Sequence, residues 1–155
     1  MRGGAKLVHS VDSSAKAIDL TNKNVELNFP GDSRHEAFAE DAFKYLDRMG
    51  DQYDLIILDP PAFAKHKDAV RNALQGYRKL NAKAFEKIKP GGILFTFSCS
   101  QVVSKDNFRT AVFTAAAMSG RSVRILHQLT QPADHPVNIY HPEGEYLKGL
   151  VLYVE

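Results

Sequence analysis

The stretch LIILDPPAFAKHKD, residues 55–68, sets the tightest limit on what this chain can fold into. Four apolar residues run straight into an acid and two prolines. An apolar run of this kind, without alternation, predicts a strand buried on both faces, at the centre of a sheet. Proline lacks the N–H that a sheet ladder needs and fixes its own φ, so Pro60 and Pro61 cannot continue the strand. The strand over 53–59 therefore stops on Asp59. The chain must leave the sheet as a stiff, extended loop, and that loop is expected to hold Phe63 outward.

Around this strand, strand-like and helix-like patterns alternate. KLVHSVD (6–12) reads as a short strand ending on an acid. SSAKAIDLTNKNVELN (13–28) carries apolar groups at Ala15, Ile18 and Val25 and is stopped by FPGD, so it reads as a helix with Ser13 as its N-cap. HEAFAED (35–41) has strand periodicity, and AFKYLDRMG (42–50) reads as a helix closed by Gly50. Residues 69–88 set Val70, Leu74, Tyr77, Leu80, Ala84 and Ile88 near one helical stripe. PGGILFTFSCS (90–100) reads as a turn and a second buried strand. Residues 104–120 begin with a Ser cap and place Phe108, Val112 and Ala115 in phase. RSVRILHQLTQ and EYLKGLVLYVE are the last two strands, joined by a polar, proline-containing connection over 131–144. Alternation of this kind predicts an α/β fold with a mostly parallel sheet, and two successive strands at the end predict an antiparallel partner at one edge.

With 155 residues, 44% of them hydrophobic, the chain can build one domain with a real core. No run reaches the roughly 18 apolar residues of a membrane-spanning helix, and the opening MRGGAKLVHSVD lacks the apolar run of a signal peptide. A single Cys excludes an intramolecular disulfide and argues against a Cys-rich zinc site, so no metal is expected. These features predict a cytoplasmic protein with no membrane partner. A net charge of +2 does not by itself announce a nucleic-acid binder.

In open α/β sheets, ligands bind beyond the carboxyl ends of the strands. Asp12, Asp41, Asp59 and Cys99 all fall at or just past such ends. A rigid turn bearing a carboxylate, bare carbonyls and an aromatic suits recognition of a flat, polar ring. Each residue also has a plainer reading. Asp12 and Asp41 can serve only as helix caps, Asp59 as a strand terminator, and a lone Cys as a small buried hydrophobe.

The segments LDPPAFAK, FSCS, VDSS (11–14), EDAF (40–43) and DHPVNIYHPEGEYLKGL together resemble class I S-adenosylmethionine-dependent RNA methyltransferases, most closely the bacterial 23S ribosomal RNA cytosine-5 methyltransferase family. The resemblance covers nearly the whole chain. It implies a Rossmann-like sheet, mostly parallel with an antiparallel C-terminal strand, S-adenosylmethionine as cofactor and ribosomal RNA as partner. It implies that Asp12, with Ser13 beside it, binds the cofactor's ribose hydroxyls, for which a carboxylate is a bidentate acceptor. Asp41 and Ala42 correspond to the position that reads the adenine. The same resemblance implies that Asp59 and Pro60 lie at the methyl group, that Pro61, Phe63 and Lys65 meet the target base and RNA, and that Cys99 is the catalytic thiol assisted by Asp59. Lys65 and Lys67 are placed to contact phosphates.

Such a fold normally opens with a strand and a Gly-rich loop leading into the first helix, where backbone N–H groups meet the ligand. Here RGGA is followed directly by the strand bearing Asp12, so the first strand and its loop are expected to be missing from this chain, which reads as a partial catalytic domain over 1–155. Weak cofactor binding by the chain alone, and self-association through exposed strand edges, are the physical expectations. Three other functions stay open. An amino-group methyltransferase acting on a purine would place its aromatic directly after the prolines, where Ala62 stands, and would leave Cys99 unused. A nicotinamide-dependent oxidoreductase needs G-x-G-x-x-G, which is absent. A non-catalytic RNA-binding or assembly module is the third.

Overall fold

The structure, a computed structural model, describes residues 1–50 and 53–155. They form two compact units, Met1–Met49 and Gly50–Glu155.

In the first unit, β1 (Val8–Asp12) pairs in parallel with β2 (His35–Ala39), with Val8 opposite His35 and Asp12 opposite Ala39. The intervening helix α1 (Ala15–Asn28) turns Ile18 inward. Its N-cap is Ser14, one residue later than the expected Ser13. The Asp12 carboxylate accepts from the Ser14 N–H at 2.7 Å, and this local turn delays the helix start by one position. Helix α2 (Ala42–Arg48) buries Tyr45 and Leu46. Tyr45 meets the Phe38 ring at 5.1 Å and the His9 ring nitrogen at 2.5 Å. Gly50 does not close α2 in a left-handed turn. Met49 swings to an extended conformation, and its own N–H closes the last turn on the Tyr45 carbonyl.

In the second unit a four-stranded sheet has the order β3 (Tyr53–Leu58), β4 (Ile88–Ser98), β6 (Lys148–Val154), β5 (Val123–Leu129). β3 is parallel to β4, and β6 runs antiparallel to both of its neighbours; the antiparallel strand expected at an edge lies inside the sheet, between β4 and β5, and β5 takes the edge. Helix α3 (Val70–Lys87) buries Ala73, Tyr77, Leu80, Asn81, Ala84 and Phe85. The expected stripe is thus correct at Tyr77, Leu80 and Ala84, while Val70 and Leu74 lie half-buried and Ile88 is already the first residue of β4. Helix α4 (Lys105–Ser119) is capped by Ser104, buries Phe108, Val112 and Ala115, and ends on Gly120 in the left-handed conformation that glycine adopts without strain. Tyr77 of α3 meets Phe108 of α4 edge-on at 5.3 Å.

The sheet is less covered than the apolar runs predict. β3 is an edge strand, and Leu55 and Ile57 are 50% and 60% exposed, whereas Leu58 is buried. β4 is internal, yet only the face of Leu94, Thr96 and Ser98 is fully buried, and Ile93, Phe95 and Phe97 are half-buried. α3 packs on the first face, as the bond between Ser98 and Tyr77 shows. Leu55 and Ile57 share the second face with their register partners Ile93 and Phe95. An unbroken apolar run reports affinity for burial, not the number of layers that cover it.

Candidate active site

In the first unit the candidates lie at the carboxyl ends of two neighbouring parallel strands. The Asp12 carbonyl accepts from the Glu40 N–H at 3.0 Å, which ties the end of β1 to the residues after β2. Asp12 Oδ1 is engaged by Ser14 N–H, while Oδ2 has no protein donor among the described residues. Asp41 is the N-cap of α2: its Oδ1 accepts from the N–H groups of Phe43 and Lys44 at 3.0 and 3.1 Å. Its Oδ2 likewise has no protein donor among the described residues. The cap therefore uses one oxygen and leaves the other open. Glu40 is held by the Arg48 guanidinium at 2.5 Å, and that hydrogen bond lowers its carboxyl from its ordinary value, against the opposing charge of Asp41.

In the second unit Asp59 and Cys99 follow directly on the ends of β3 and β4, which are paired in parallel with Leu58 opposite Thr96. Asp59 and Lys65 are exposed, Pro60 is half-buried, and Pro61 is exposed. Cys99 is partly exposed, and its Sγ lies 4.0 Å from the Pro60 carbonyl. The two serines beside it are buried and anchored on different partners. The Ser98 hydroxyl donates to the Tyr77 hydroxyl oxygen at 2.9 Å, and the Ser100 hydroxyl donates to the Ala64 carbonyl at 2.6 Å. Ser100 thereby fastens the turn after β4 to the far end of the Asp59–Ala64 loop. The thiol stands between two fixed points, at a place where neither serine can move away without leaving a buried polar group unpaired. Burial raises the Tyr77 phenol above its ordinary value, an effect partly offset by the Ser98 hydroxyl and the Phe63 backbone.

Phe63 is not held outward. Its ring packs at 4.7 Å from that of Tyr77 and lies over Gly76, where an added Cβ would sit 3.0 Å from the Phe63 ring. The glycine makes the slot, and the ring fills it because an apolar surface of that size gains more by packing than by exposure. Phe63 as a whole is half-buried.

Sequence reasoning singled out neither Tyr77 nor Lys148 as part of this neighbourhood. Tyr77 reads only as a core position of α3, and Lys148 as a lysine within a buried strand. Lys148 is buried, and its Nζ donates to the carbonyls of Ser100 and Val103 at 2.5 and 2.8 Å. The tail before β6 is tied to the same region: Gln101 donates to the Glu143 carbonyl at 3.1 Å, and Lys105 pairs with Glu145 at 2.5 Å. His135 and Tyr146, from the two halves of that tail, meet at 2.9 Å. Among the described residues no group of three or more His, Cys, Asp or Glu side chains is arranged to hold a metal ion, and no helix is long and apolar enough to cross a membrane.

Two proteins named ribosomal RNA large subunit methyltransferase I, from Cronobacter sakazakii and Aeromonas hydrophila, are each 43% identical to this chain over 99% and 98% of its length. The chain spans about 40% of the length of these curated relatives. Among solved structures, a methyltransferase complexed with SAH superimposes with a TM-score of 0.82 at 25% identity, covering 97% of this chain and 40% of the other. An S-adenosylmethionine-dependent methyltransferase from Streptococcus mutans superimposes with a TM-score of 0.81 at 23% identity, over 97% of this chain and 39% of the other, and shows the shared fold. The α/β architecture is that of the class I methyltransferases, with parallel strands and one antiparallel strand near the edge. Residues 2–122 match the family described as the methyltransferase small domain, and the chain belongs to that family.

Proposed function

We propose that this chain is catalytic machinery of an S-adenosylmethionine-dependent RNA methyltransferase that modifies carbon 5 of a cytosine in 23S ribosomal RNA. The observation that carries the reading is the half-exposed Cys99 held between two anchored serines beside the Pro60 carbonyl. An amino-group methyltransferase has no use for a thiol fixed in this way. The names of the two ribosomal RNA methyltransferases support RNA as the substrate class. Such a substrate places the action in the cytoplasm.

The residues present fit the methyl donor. Asp12 and Asp41 each keep one carboxylate oxygen without a protein donor, on the same edge of the β1–β2 pair. A free carboxylate oxygen accepts from a ribose hydroxyl or an exocyclic amine. Asp12 with Ser13 would hold the ribose, and Asp41 with Ala42 the adenine. S-adenosylmethionine supplies an electrophilic methyl group.

The chain's own residues account for the rest. The Cys99 thiolate adds to carbon 6 of the cytosine, and the electron pair of the 5,6 double bond moves to carbon 5, which becomes nucleophilic. After carbon 5 has gained its methyl group, a base removes its hydrogen. The double bond re-forms, and the sulfur leaves as thiolate. Asp59 is placed to hydrogen-bond the base and assist that proton movement, with Pro60 stiffening the loop at the methyl group. Pro61 and the half-buried Phe63 meet the target base, and Lys65 meets a phosphate.

The test is Cys99→Ala in the active enzyme. The expected result is loss of 5-methylcytosine from 23S RNA, read by nucleoside mass spectrometry, with S-adenosylmethionine binding retained. Undiminished 5-methylcytosine, or an N-methylated purine as the product, overturns the reading. The exposed β3 edge also supports association of copies of the chain.

A further inference from the structure

Lys148 is a costly residue to keep. It lies in β6 opposite Ser98, is 7% exposed, and has no carboxylate partner among the described residues. A buried cation without a counter-charge destabilises a fold unless other groups compensate. Burial accordingly pushes its pKa down; the charge of Cys99 acts in the opposite direction, and Lys105 adds to the lowering. Lys105 is itself paired with Glu145, so the sulfur is the ionisable group that favours a charged Lys148. The carbonyls it binds, those of Ser100 and Val103, belong to the turn that begins directly after Cys99 and ends at the cap of α4. Within that turn the backbone closes on itself through a long bond, Val103 N–H to the Ser100 carbonyl at 3.4 Å, while Ser100 and Gln101 side chains tie it to Ala64 and Glu143.

We propose that Lys148 is the positioning residue of Cys99: its ammonium clamps the two carbonyls of the turn behind the thiol and stabilises negative charge on the sulfur. The clamp fixes where the thiol stands. The charge favours the sulfur in the form that acts as nucleophile or leaving group. This deepens the reading of Cys99 as nucleophile, but its test is thiol chemistry without RNA or S-adenosylmethionine, so it fails independently of the substrate assignment.

Cys99 is the chain's single Cys, so alkylation by iodoacetamide reports on it alone. At pH 7, Lys148→Met is expected to be alkylated about tenfold more slowly than the native protein. The difference should close at high pH, where accessible thiols are ionised throughout. Lys148→Arg, which keeps the charge, should fall within about threefold of native. A Met variant with a native circular dichroism spectrum and a native rate profile overturns the proposal, as does an Arg variant as slow as Met. A second measurement needs no variant. Capping the sulfur with methyl methanethiosulfonate should move the titration midpoint of the Lys148 Cε resonance downward in the native protein, by the reciprocity of coupled charges. A midpoint that stays put overturns the proposal even if Lys148→Met fails to fold.

Discussion

The Ser98 hydroxyl and the Tyr77 phenol, 21 residues apart in the chain, meet at 2.9 Å in the interior of the sheet–helix layer, both almost wholly buried. Ser98 is the last residue of β4 and Tyr77 lies in the middle of α3. The bond fixes the strand end that carries Cys99 to the helix beneath it. Tyr77 also packs on Phe63, so one aromatic side chain supports both the thiol and the proline loop.

Tyr77→Phe removes the acceptor and leaves the Ser98 donor buried and unpaired. Removing one partner of a buried hydrogen bond costs about 1–3 kcal/mol. Urea denaturation should show a loss in that range. Adding Ser98→Ala should cost clearly less than the sum of the two single changes, because the pair shares one interaction. Strict additivity would show that the bond does not contribute.

Asp12→Asn separates the two oxygens of that side chain. Asn retains an oxygen to accept from the Ser14 N–H, so the start of α1 is preserved. The free carboxylate oxygen opposite it becomes an amide donor, a poor match for a ribose hydroxyl that must donate. Calorimetry on the active enzyme should show S-adenosylmethionine affinity reduced at least about tenfold, about 1.4 kcal/mol, with an unchanged melting temperature. Equal affinity would remove Asp12 from the cofactor site.

Acid stability of the first unit depends in part on Asp32. The Arg34 side chain and backbone hydrogen-bond its carboxylate and lower its pKa to about 2 from 3.8. A carboxylate lowered in the folded state binds its proton more readily when unfolded. Its stabilisation is therefore complete above the unfolded value and is lost as pH falls through the folded one. The loss should lie between about pH 4 and pH 2. Acid unfolding of Asp32→Asn should be less steep over that window, and a native slope would exclude the pair as a contributor.

Self-association should follow the exposed face of β3. Leu55 and Ile57 present apolar side chains from a strand with one hydrogen-bonded neighbour in its sheet. Charged residues on such edges oppose pairing with other chains. The double change Leu55→Lys with Ile57→Lys should lower the average mass seen by solution scattering. A native protein that scatters as a clean monomer contradicts the expectation.

The sequence by itself determined what kind the elements are and where several of them stop. Pro60 and Pro61 end β3, Ser104 and Gly120 bound α4, and the last two apolar runs form the antiparallel pair. These are local effects of a missing N–H, a capping hydroxyl and a left-handed glycine. Local rules were less secure at the edges, where an Asp12 turn moved the cap from Ser13 to Ser14 and Met49 ended α2 before Gly50. The candidate residues at the strand ends were legible for the same reason, since strand type and direction already put Asp59 and Cys99 on one edge. Tertiary structure alone decided what surrounds them. Ser98 finds Tyr77, Ser100 finds Ala64, and Lys148 finds the turn behind Cys99 across separations of 21, 36 and 45–48 residues. It also decided that Phe63 packs inward and that Leu55 and Ile57 are left bare. Contacts and coverage depend on which surfaces the folded chain brings together, and no local pattern of residue types encodes that distance.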